Sequence, residues 1–222
     1  MDSSQHGTPA KPVGVTAQRH RPVAGAAAAA TILILLELVR EIFVTVANWR
    51  DYFVIRDYLA GTATEADLDA ADSFSALATW PTLPEWIAAG VAFLIWLWRA
   101  RINAELLAGP AAHRRSRGWV VGAWMAPVVN LWYPYQVVSD IWQSSAPRRP
   151  APSALVNAWW ALFVAATLVK PVQWRLASHL ESEQDALTNA NVSTLLTALY
   201  LAAGALVILI IRRITAWQSR AV

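Results

Sequence analysis

The chain is organised into long apolar blocks that are separated by short polar segments. Each block is apolar on every side rather than along one stripe, which is typical of helices that are surrounded by lipid or by other helices. One membrane crossing needs about 20 residues of apolar helix. The pattern therefore predicts an all-α polytopic membrane protein. The blocks cover roughly residues 23–46, 83–101, 119–145, 153–170 and 193–211.

The third block is interrupted by Pro127, Asn130 and Pro134, and this break changes the predicted topology. The break separates Trp119–Val129 from Tyr133–Ser145. As helices these halves are about 16 and 20 Å long, roughly half of a crossing each. We predict four transmembrane helices plus a broken, re-entrant segment, and the alternative is a kinked third crossing that makes five transmembrane helices.

The distribution of basic residues decides between these two arrangements. Cytoplasmic loops of membrane proteins are enriched in Lys and Arg. With the N-terminus inside, the four-helix arrangement places thirteen Lys or Arg inside and four outside, whereas the five-helix arrangement places ten inside and seven outside. The acidic loop after the first block then lies outside. We predict a multi-pass plasma membrane protein with both its N-terminus and its C-terminus in the cytoplasm.

The polar segments set the remaining boundaries. Residues 1–21 are predicted to form a disordered cytoplasmic tail, residues 22–215 the transmembrane domain, and residues 216–222 a second cytoplasmic tail. Within the acidic loop, the pattern over roughly Glu65–Thr79 is compatible with a short helix. The run Thr82-Leu-Pro-Glu85 fits a capping box, which predicts the start of the second membrane helix.

Composition agrees with a membrane protein and limits its chemistry. Hydrophobic residues make up 56% of the chain and charged residues 15%, compared with roughly 45–50% and 25% in soluble domains. The thirteen tryptophans fit side chains that sit at membrane interfaces. The chain has no cysteine, and its four histidines lie outside the apolar blocks. We therefore expect no cofactor and no metal, and the lack of a known catalytic motif makes an enzyme the weaker hypothesis.

The first candidate site is a group of ionisable residues within the first apolar block. On a helix, Glu37 and Glu41 share one side with Arg40 at its edge. Ionisable groups inside a bilayer are costly and usually face the interior of the bundle. Arg40 can pair with one carboxylate and leave the other to bind a cation or a proton. The competing interpretation, which we favour, is a salt-bridge cluster that orients the first helix.

The second candidate site is the broken segment itself. Pro127 and Pro134 are predicted to act as a structural hinge, and Asn130 can hydrogen-bond to the backbone that they free. Together with Asp140, Asn130 forms an ion-binding or ligand-binding hypothesis, because broken helices at membrane depth often line cavities. The competing interpretation is a purely architectural hinge.

Two basic patches flank the broken segment. Their arginines suit the anionic head groups of the cytoplasmic leaflet, and the competing interpretation is the positive-inside signal alone. Nucleic acid is not expected as a partner. The arginines are Arg114, Arg115, Arg117, Arg148 and Arg149.

Several motifs in the second half of the chain resemble one bacterial, mainly actinobacterial, membrane family. They are Trp98-Arg-Ala-Arg-Ile-Asn103, Pro127-Val-Val-Asn130-Leu-Trp-Tyr-Pro134-Tyr, Asp140-Ile-Trp142 and Trp159-Trp160. The family is domain of unknown function 4328, and the similarity covers roughly residues 86–215. The resemblance implies a location in the bacterial plasma membrane. It implies no activity, because none is assigned to the family.

These observations lead to two hypotheses for function. The first is a non-enzymatic envelope component that assembles with, or regulates, other membrane proteins or copies of itself. The alternative is a small transporter or an ion-coupled or proton-coupled protein that uses Glu37, Glu41 and the broken segment 127–140.

Overall fold

A computed structural model describes residues 20–80, 82–180 and 182–221, and the regular structure in this part of the chain is entirely helical. The described residues contain no strand, which confirms the all-α prediction. Two short 3₁₀ turns, Pro110–Ala112 and Val129–Leu131, lie between α helices. In chain order the α helices are α1 (Ala24–Leu59), α2 (Glu65–Thr79), α3 (Thr82–Ala108), α4 (Trp119–Met125), α5 (Tyr133–Ser145), α6 (Ala154–Ala177) and α7 (Glu183–Arg220).

The acidic loop and the C-terminal segment are both helical. The short helix predicted in the acidic loop is α2, and a capping box at Thr64 and Asp67 starts it. In the segment predicted as a cytoplasmic tail, 216–222, α7 continues as far as Arg220. Gln218 lies there, fully buried, because its amide bonds to other helices. Of the tail predicted at the N-terminus, residues 1–19 lie outside the described residues.

Helices α1 and α7 are longer than a membrane is thick. At 1.5 Å per residue, their 36 and 38 residues extend about 54 and 57 Å, whereas the hydrocarbon core of a bilayer is about 30 Å. Helix α7 begins with an N-cap at Ser182, whose hydroxyl accepts from the backbone N–H of Asp185, and its first turn is acidic. Both helices therefore extend beyond the hydrocarbon core.

The core forms where α7 packs against α1 and α6, and where α1 also packs against α3. Trp96 and Leu97 of α3 and Ile211 of α7 are fully buried at this core. A Cβ atom at Gly204 of α7 would lie 2.6 Å from Cδ1 of Leu38, so the glycine permits the close approach of α1 and α7. Small residues at helix contacts have this effect in membrane bundles.

Three helical stretches of the described chain are long and apolar enough to cross a membrane, by length and composition alone. They are Glu65–Ala108, which contains α2 and α3, then Ala154–Ala177 and Glu183–Arg220. The predicted crossings 83–101, 153–170 and 193–211 correspond to α3, α6 and α7. The first predicted crossing lies in α1, which is not among the three. Its central charges, Glu37, Arg40 and Glu41, account for the difference.

The predicted break in the third block is present and is wider than expected. Helix α4 ends at Met125, four residues before the expected end, because Ala126 precedes Pro127 and adopts an extended conformation. The next residue, Val128, has a φ of 65°, an uncommon value for a β-branched side chain, and marks a sharp turn. Pro134 lies in the first turn of α5, where its missing N–H leaves no helical bond unmade. Pro134 therefore helps to start α5. It does not free the backbone carbonyl that we expected Asn130 to bind.

Both ends of the broken segment lie at the same end of the bundle. At this end, which we call the Gln218 end, Asn103 bonds to the backbone of Arg21 and to Gln218. Gln218 also donates to the Ser145 hydroxyl at the close of α5. The segment starts beside Glu105 of α3, which pairs with Arg117. Between these points, the segment reaches inward as far as Phe93, Trp160 and Phe163, which contact Trp124.

Candidate functional site: two buried polar clusters

The three charges of α1 form the centre of a buried network, which we call the Arg40 cluster (Glu37, Arg40, Glu41, Glu85 and Lys170). Arg40 is only 7% exposed. Its Nη2 lies 2.6 Å from Oε1 of Glu37 and 2.7 Å from Oε1 of Glu41. Its Nε lies 3.4 Å from Oε2 of Glu85. One guanidinium group therefore faces three carboxylates.

The Arg40 cluster joins three helices. Nη1 of Arg40 donates to the Thr82 hydroxyl at the start of α3, and Lys170 of α6 places its Nζ 3.8 Å from Oε1 of Glu41. The sequence assigned Glu85 to a helix cap and Lys170 to the flank of an apolar block. One sign in the sequence indicated that these charges could be buried: Glu85 directly precedes an apolar run and Lys170 directly follows one. Three carboxylates and two cationic groups leave one negative charge in the cluster.

The side of α1 beyond Glu41 packs on α7 through hydrogen bonds. Thr45 bonds to the hydroxyls of Ser193 and Thr197, at 2.9 and 2.6 Å. One turn further along, Asn48 donates to the Ser193 hydroxyl and accepts from Asn189. Interhelical bonds of this kind are typical of membrane bundles. This ladder fixes the register of α1 against α7.

A second network, the Arg101 cluster (Arg101, Glu105, His113, Arg114, Arg117 and Asp140), lies at the Gln218 end. Arg101 is 2% exposed, and its Nε donates to Oε1 of Glu105 at 2.8 Å. The other carboxylate oxygen pairs with Arg117, and Nη2 of Arg101 donates to the carbonyl of Arg115 at 2.7 Å. The cluster therefore fastens the loop 109–118 to α3.

The same loop holds α5. Asp140 is buried and accepts from the backbone N–H of Arg114 at 2.8 Å and from its Nε at 2.9 Å. Arg115 donates to the Gln136 side chain and lies 3.8 Å from the centre of the Tyr133 ring. The three loop arginines that the sequence assigned to lipid head groups thus also bind protein. In the other predicted patch, Arg149 donates to the Ser144 carbonyl and Arg148 is exposed.

Two groups of the Arg101 cluster have displaced pKa values. Burial raises the pKa of Glu105, but hydrogen bonds from Arg117 and Arg101 outweigh it, so the pKa lies below the ordinary value of 4.5. Burial, together with the charge of Arg101, holds the pKa of His113 below 6.5. His113 is therefore neutral at pH 7. Neither of its ring nitrogens has a hydrogen-bond partner among the described residues.

The structure does not bring Asn130 and Asp140 together. Asp140 belongs to the Arg101 cluster, whereas Asn130 lies in the 3₁₀ turn, and its Oδ1 is buried with no partner among the described residues. Leu131 bonds to Trp160 of α6, ten residues before Lys170 of the Arg40 cluster. Ten helical residues rise about 15 Å. The broken segment and the Arg40 cluster are therefore separate features.

The chemistry available at both clusters is charge pairing. All five buried Arg, Asp and Glu side chains of the described residues form ion pairs. In the same part of the chain, no group of three or more His, Asp or Glu residues is arranged to hold a metal ion.

Comparison with known proteins gives a family and no activity. A family model described as a domain of unknown function (DUF4328) matches residues 61–216. The match begins before α2 and ends close to the end of α7, so it includes Glu85, Lys170 and the whole Arg101 cluster. No curated protein and no solved structure matches the chain. The chain belongs to the DUF4328 family.

Proposed function

We propose that the protein crosses the bacterial plasma membrane four times, through α1, α3, α6 and α7, and that residues 119–145 form a re-entrant segment. Support for the first crossing comes from the Arg40 cluster. Charges exclude a helix from a membrane when they are unpaired, but here Arg40 forms ion pairs with Glu37 and Glu41 within the bundle. The lipid-facing side of α1 is apolar, with Leu35, Val39 and Phe43 exposed.

The position of the broken segment supports the re-entrant arrangement. Its two ends pair with Glu105 and Gln218 at one end of the bundle. The exposed apolar side chains near its turn, Met125 and Val128, suit contact with acyl chains. Helix α4 has seven residues and spans only about 10 Å, which is far short of a crossing.

Two further features support an orientation with both termini in the cytoplasm. The Gln218 end carries the basic loop and the end of α7, with the Lys and Arg excess of a cytoplasmic face. Exposed tryptophans occur at two levels, as expected at two interfaces. Trp98 lies close in sequence to Ala100 and Asn103 at the Gln218 end, whereas Trp80 and Trp86 flank the opposite end of α3 and Trp174 lies near the end of α6 that carries Lys170.

For biochemical function, we propose a non-enzymatic membrane component that assembles with, or regulates, other envelope proteins. The observation that carries this proposal is that each of the five buried Arg, Asp and Glu side chains in the described chain takes part in an ion pair. Catalytic and transport sites keep ionisable groups available for a substrate. Here those groups join helices to one another and to the broken segment.

A second candidate, ion-coupled or proton-coupled transport, is favoured by one observation. The Arg40 cluster holds three carboxylates against two cationic groups and so keeps one negative charge within the bundle. A cation or a proton would neutralise it. Under this candidate, transport depends on pH and disappears in Glu37→Gln or Glu41→Gln while the protein is still produced.

Reconstitution into liposomes separates the two candidates. We expect alanine at Glu37, Glu41, Asn130 or Asp140 to reduce the yield of folded protein or of membrane complexes on native gels, with no ion or solute flux in any sample. Asp69→Ala, at an exposed site on α2, is the matched control and leaves the yield unchanged. A defined solute that is carried by the purified wild-type protein would overturn the proposal.

A further inference from the structure

The loop 109–118 borders a cleft at the Gln218 end of the bundle. The cleft has a volume of about 320 Å³, which gives room for a phosphate group and part of what it is attached to. Glu105 also borders it, and Glu105 is engaged by Arg101 and Arg117. The donors that line the cleft are Arg101, His113, Arg114, Arg115, Ser116 and Arg117.

Two of these residues are buried and carry side-chain nitrogens without a hydrogen-bond partner among the described residues. His113 is 8% exposed, and both of its ring nitrogens are without a hydrogen-bond partner among the described residues. Arg101 is 2% exposed, and its Nη1 is also without one, although its other two nitrogens are engaged. A buried donor without a partner costs about 1–3 kcal/mol, and more when it is charged. Both residues border the same cleft, so an acceptor bound there would relieve both.

The charge of the cleft selects an anion. Among the described residues, four arginines face two carboxylates, Glu105 and Asp140, so the formal charge of these groups is positive. The guanidinium of Arg115 lies over the Tyr133 ring and donates only its Nε, to Gln136, so its two terminal nitrogens have no hydrogen-bond partner within the described chain. A guanidinium fork matches the oxygens of a phosphate in geometry as well as in charge.

From this arrangement we infer that the cleft between α3 and the loop 109–118 is a binding site for a phosphate group, with Arg101, His113 and Arg115 as its donors. The phosphate belongs either to the head group of an anionic lipid or to a free phosphate ion. This inference assigns a ligand to the protein, and it does not depend on the membrane topology proposed above.

Binding to the purified full chain in detergent tests the inference by native mass spectrometry. One arm titrates inorganic phosphate against chloride at equal ionic strength. The other arm titrates phosphatidic acid against phosphatidylcholine. We expect one saturable site in at least one arm. Binding of phosphatidic acid alone identifies the lipid source, binding of phosphate alone identifies the free ion, and binding of both supports the shared chemistry.

Two variants locate the site, and one controls for charge. His113→Leu removes the ring nitrogens, and Arg115→Gln removes a fork that forms no ion pair among the described residues, so one variant remains informative if the other fails to fold. We expect each to weaken binding at least about tenfold. Arg212→Gln removes an exposed charge from the same end of the bundle and leaves binding unchanged.

Three results would overturn the inference. They are no binding above the chloride and phosphatidylcholine controls, wild-type affinity in folded His113→Leu and Arg115→Gln, and equal weakening in Arg212→Gln, which would indicate diffuse attraction. Because the assay measures a ligand and not sidedness or flux, its outcome is independent of the tests of the proposed function.

Discussion

The Arg40 cluster lies among apolar helices, where one arginine meets three carboxylates and hardly any solvent. The Arg101 cluster lies at the end of the bundle, where Glu105 is shared between the buried Arg101 and Arg117, whose side chain is 38% exposed. In the first cluster Arg40 contacts all three acids and Lys170 reaches only Glu41, whereas in the second Glu105 and Asp140 each have an arginine partner that water also reaches. We therefore expect the ion pairs of the two clusters to contribute different amounts to the free energy of unfolding, and substitutions measure this difference.

The largest effect is expected for Arg40→Met. This change leaves Glu37, Glu41 and Glu85 close together without their common partner, and removing one member of a buried pair costs about 3–5 kcal/mol. Thermal unfolding in detergent should therefore show a large loss of stability. Adding Glu37→Gln and Glu41→Gln to the same chain should restore most of it. Stability equal to wild type in the single variant would mean that the carboxylates are not held by Arg40.

A smaller loss is expected for Arg101→Met. Glu105 keeps Arg117 as a partner, so the change costs about 2 kcal/mol through the lost bonds to Glu105 and to the Arg115 carbonyl. The same unfolding assay measures it. If Arg101→Met proves more destabilising than Arg40→Met, the ranking of the two clusters is wrong.

Asp140→Asn should cost less again, about 1 kcal/mol. The Arg114 side chain is 50% exposed, which weakens the ion pair, and an asparagine oxygen can still accept from the backbone N–H of Arg114. The matched comparison is Asp140→Ala, which removes the acceptor as well. Equal stability of the two variants would show that the backbone bond contributes nothing.

The smallest effect is a change in the pH dependence of stability that arises from the Arg101 cluster. The folded pKa of His113 lies below its ordinary 6.5, so the unfolded chain takes up a proton first, and stability falls as the pH drops from about 6.5. The lowered pKa of Glu105 adds a further loss once the pH falls below about 4.5.

Unfolding of His113→Gln between pH 7.5 and 5.5 isolates the contribution of the histidine. The variant should lose less stability than wild type on acidification, while His179→Gln, at an exposed histidine, should follow the wild type. Parallel curves for wild type and His113→Gln would refute the assignment.

The sequence specified the elements whose signals are local. The bounds of α2 and α5 were predicted because the pattern over Glu65–Thr79 suits a short helix and the break that begins at Pro127 separates Tyr133–Ser145 from the first half of its block. The end of α4 was missed because the restriction that Pro127 places on Ala126 was not counted. The spacing of Arg101 and Glu105, one helical turn apart, allowed their ion pair to be predicted from the sequence. The burial of this pair could not be predicted in the same way.

The partners of Arg40 could not be predicted from the sequence. Glu85 and Lys170 lie on other helices, and their meeting with Arg40 depends on how far α3 and α6 are shifted along α1. No local pattern encodes that register. The same holds for Gln218, which lies within the predicted C-terminal tail and whose amide bonds to α3 and α5.

The central claim is that residues 119–145 enter and leave the membrane on one side, and cysteine accessibility in intact cells tests it directly. The chain has no native cysteine. Single cysteines replace Ser116 before the segment, Arg148 after it and Ser219 near the end of α7. All three positions are exposed. Ser145 is unsuitable because it is 5% exposed and would be protected on either side. Ser178, in the exposed turn between α6 and α7, serves as the external control.

The result that we predict is labelling by an impermeant maleimide at position 178 in intact cells, with labelling at 116, 148 and 219 only after the membrane is permeabilised. Labelling at 148 in intact cells together with protection at 116 would mean that the segment crosses the membrane fully and would contradict the four-helix arrangement.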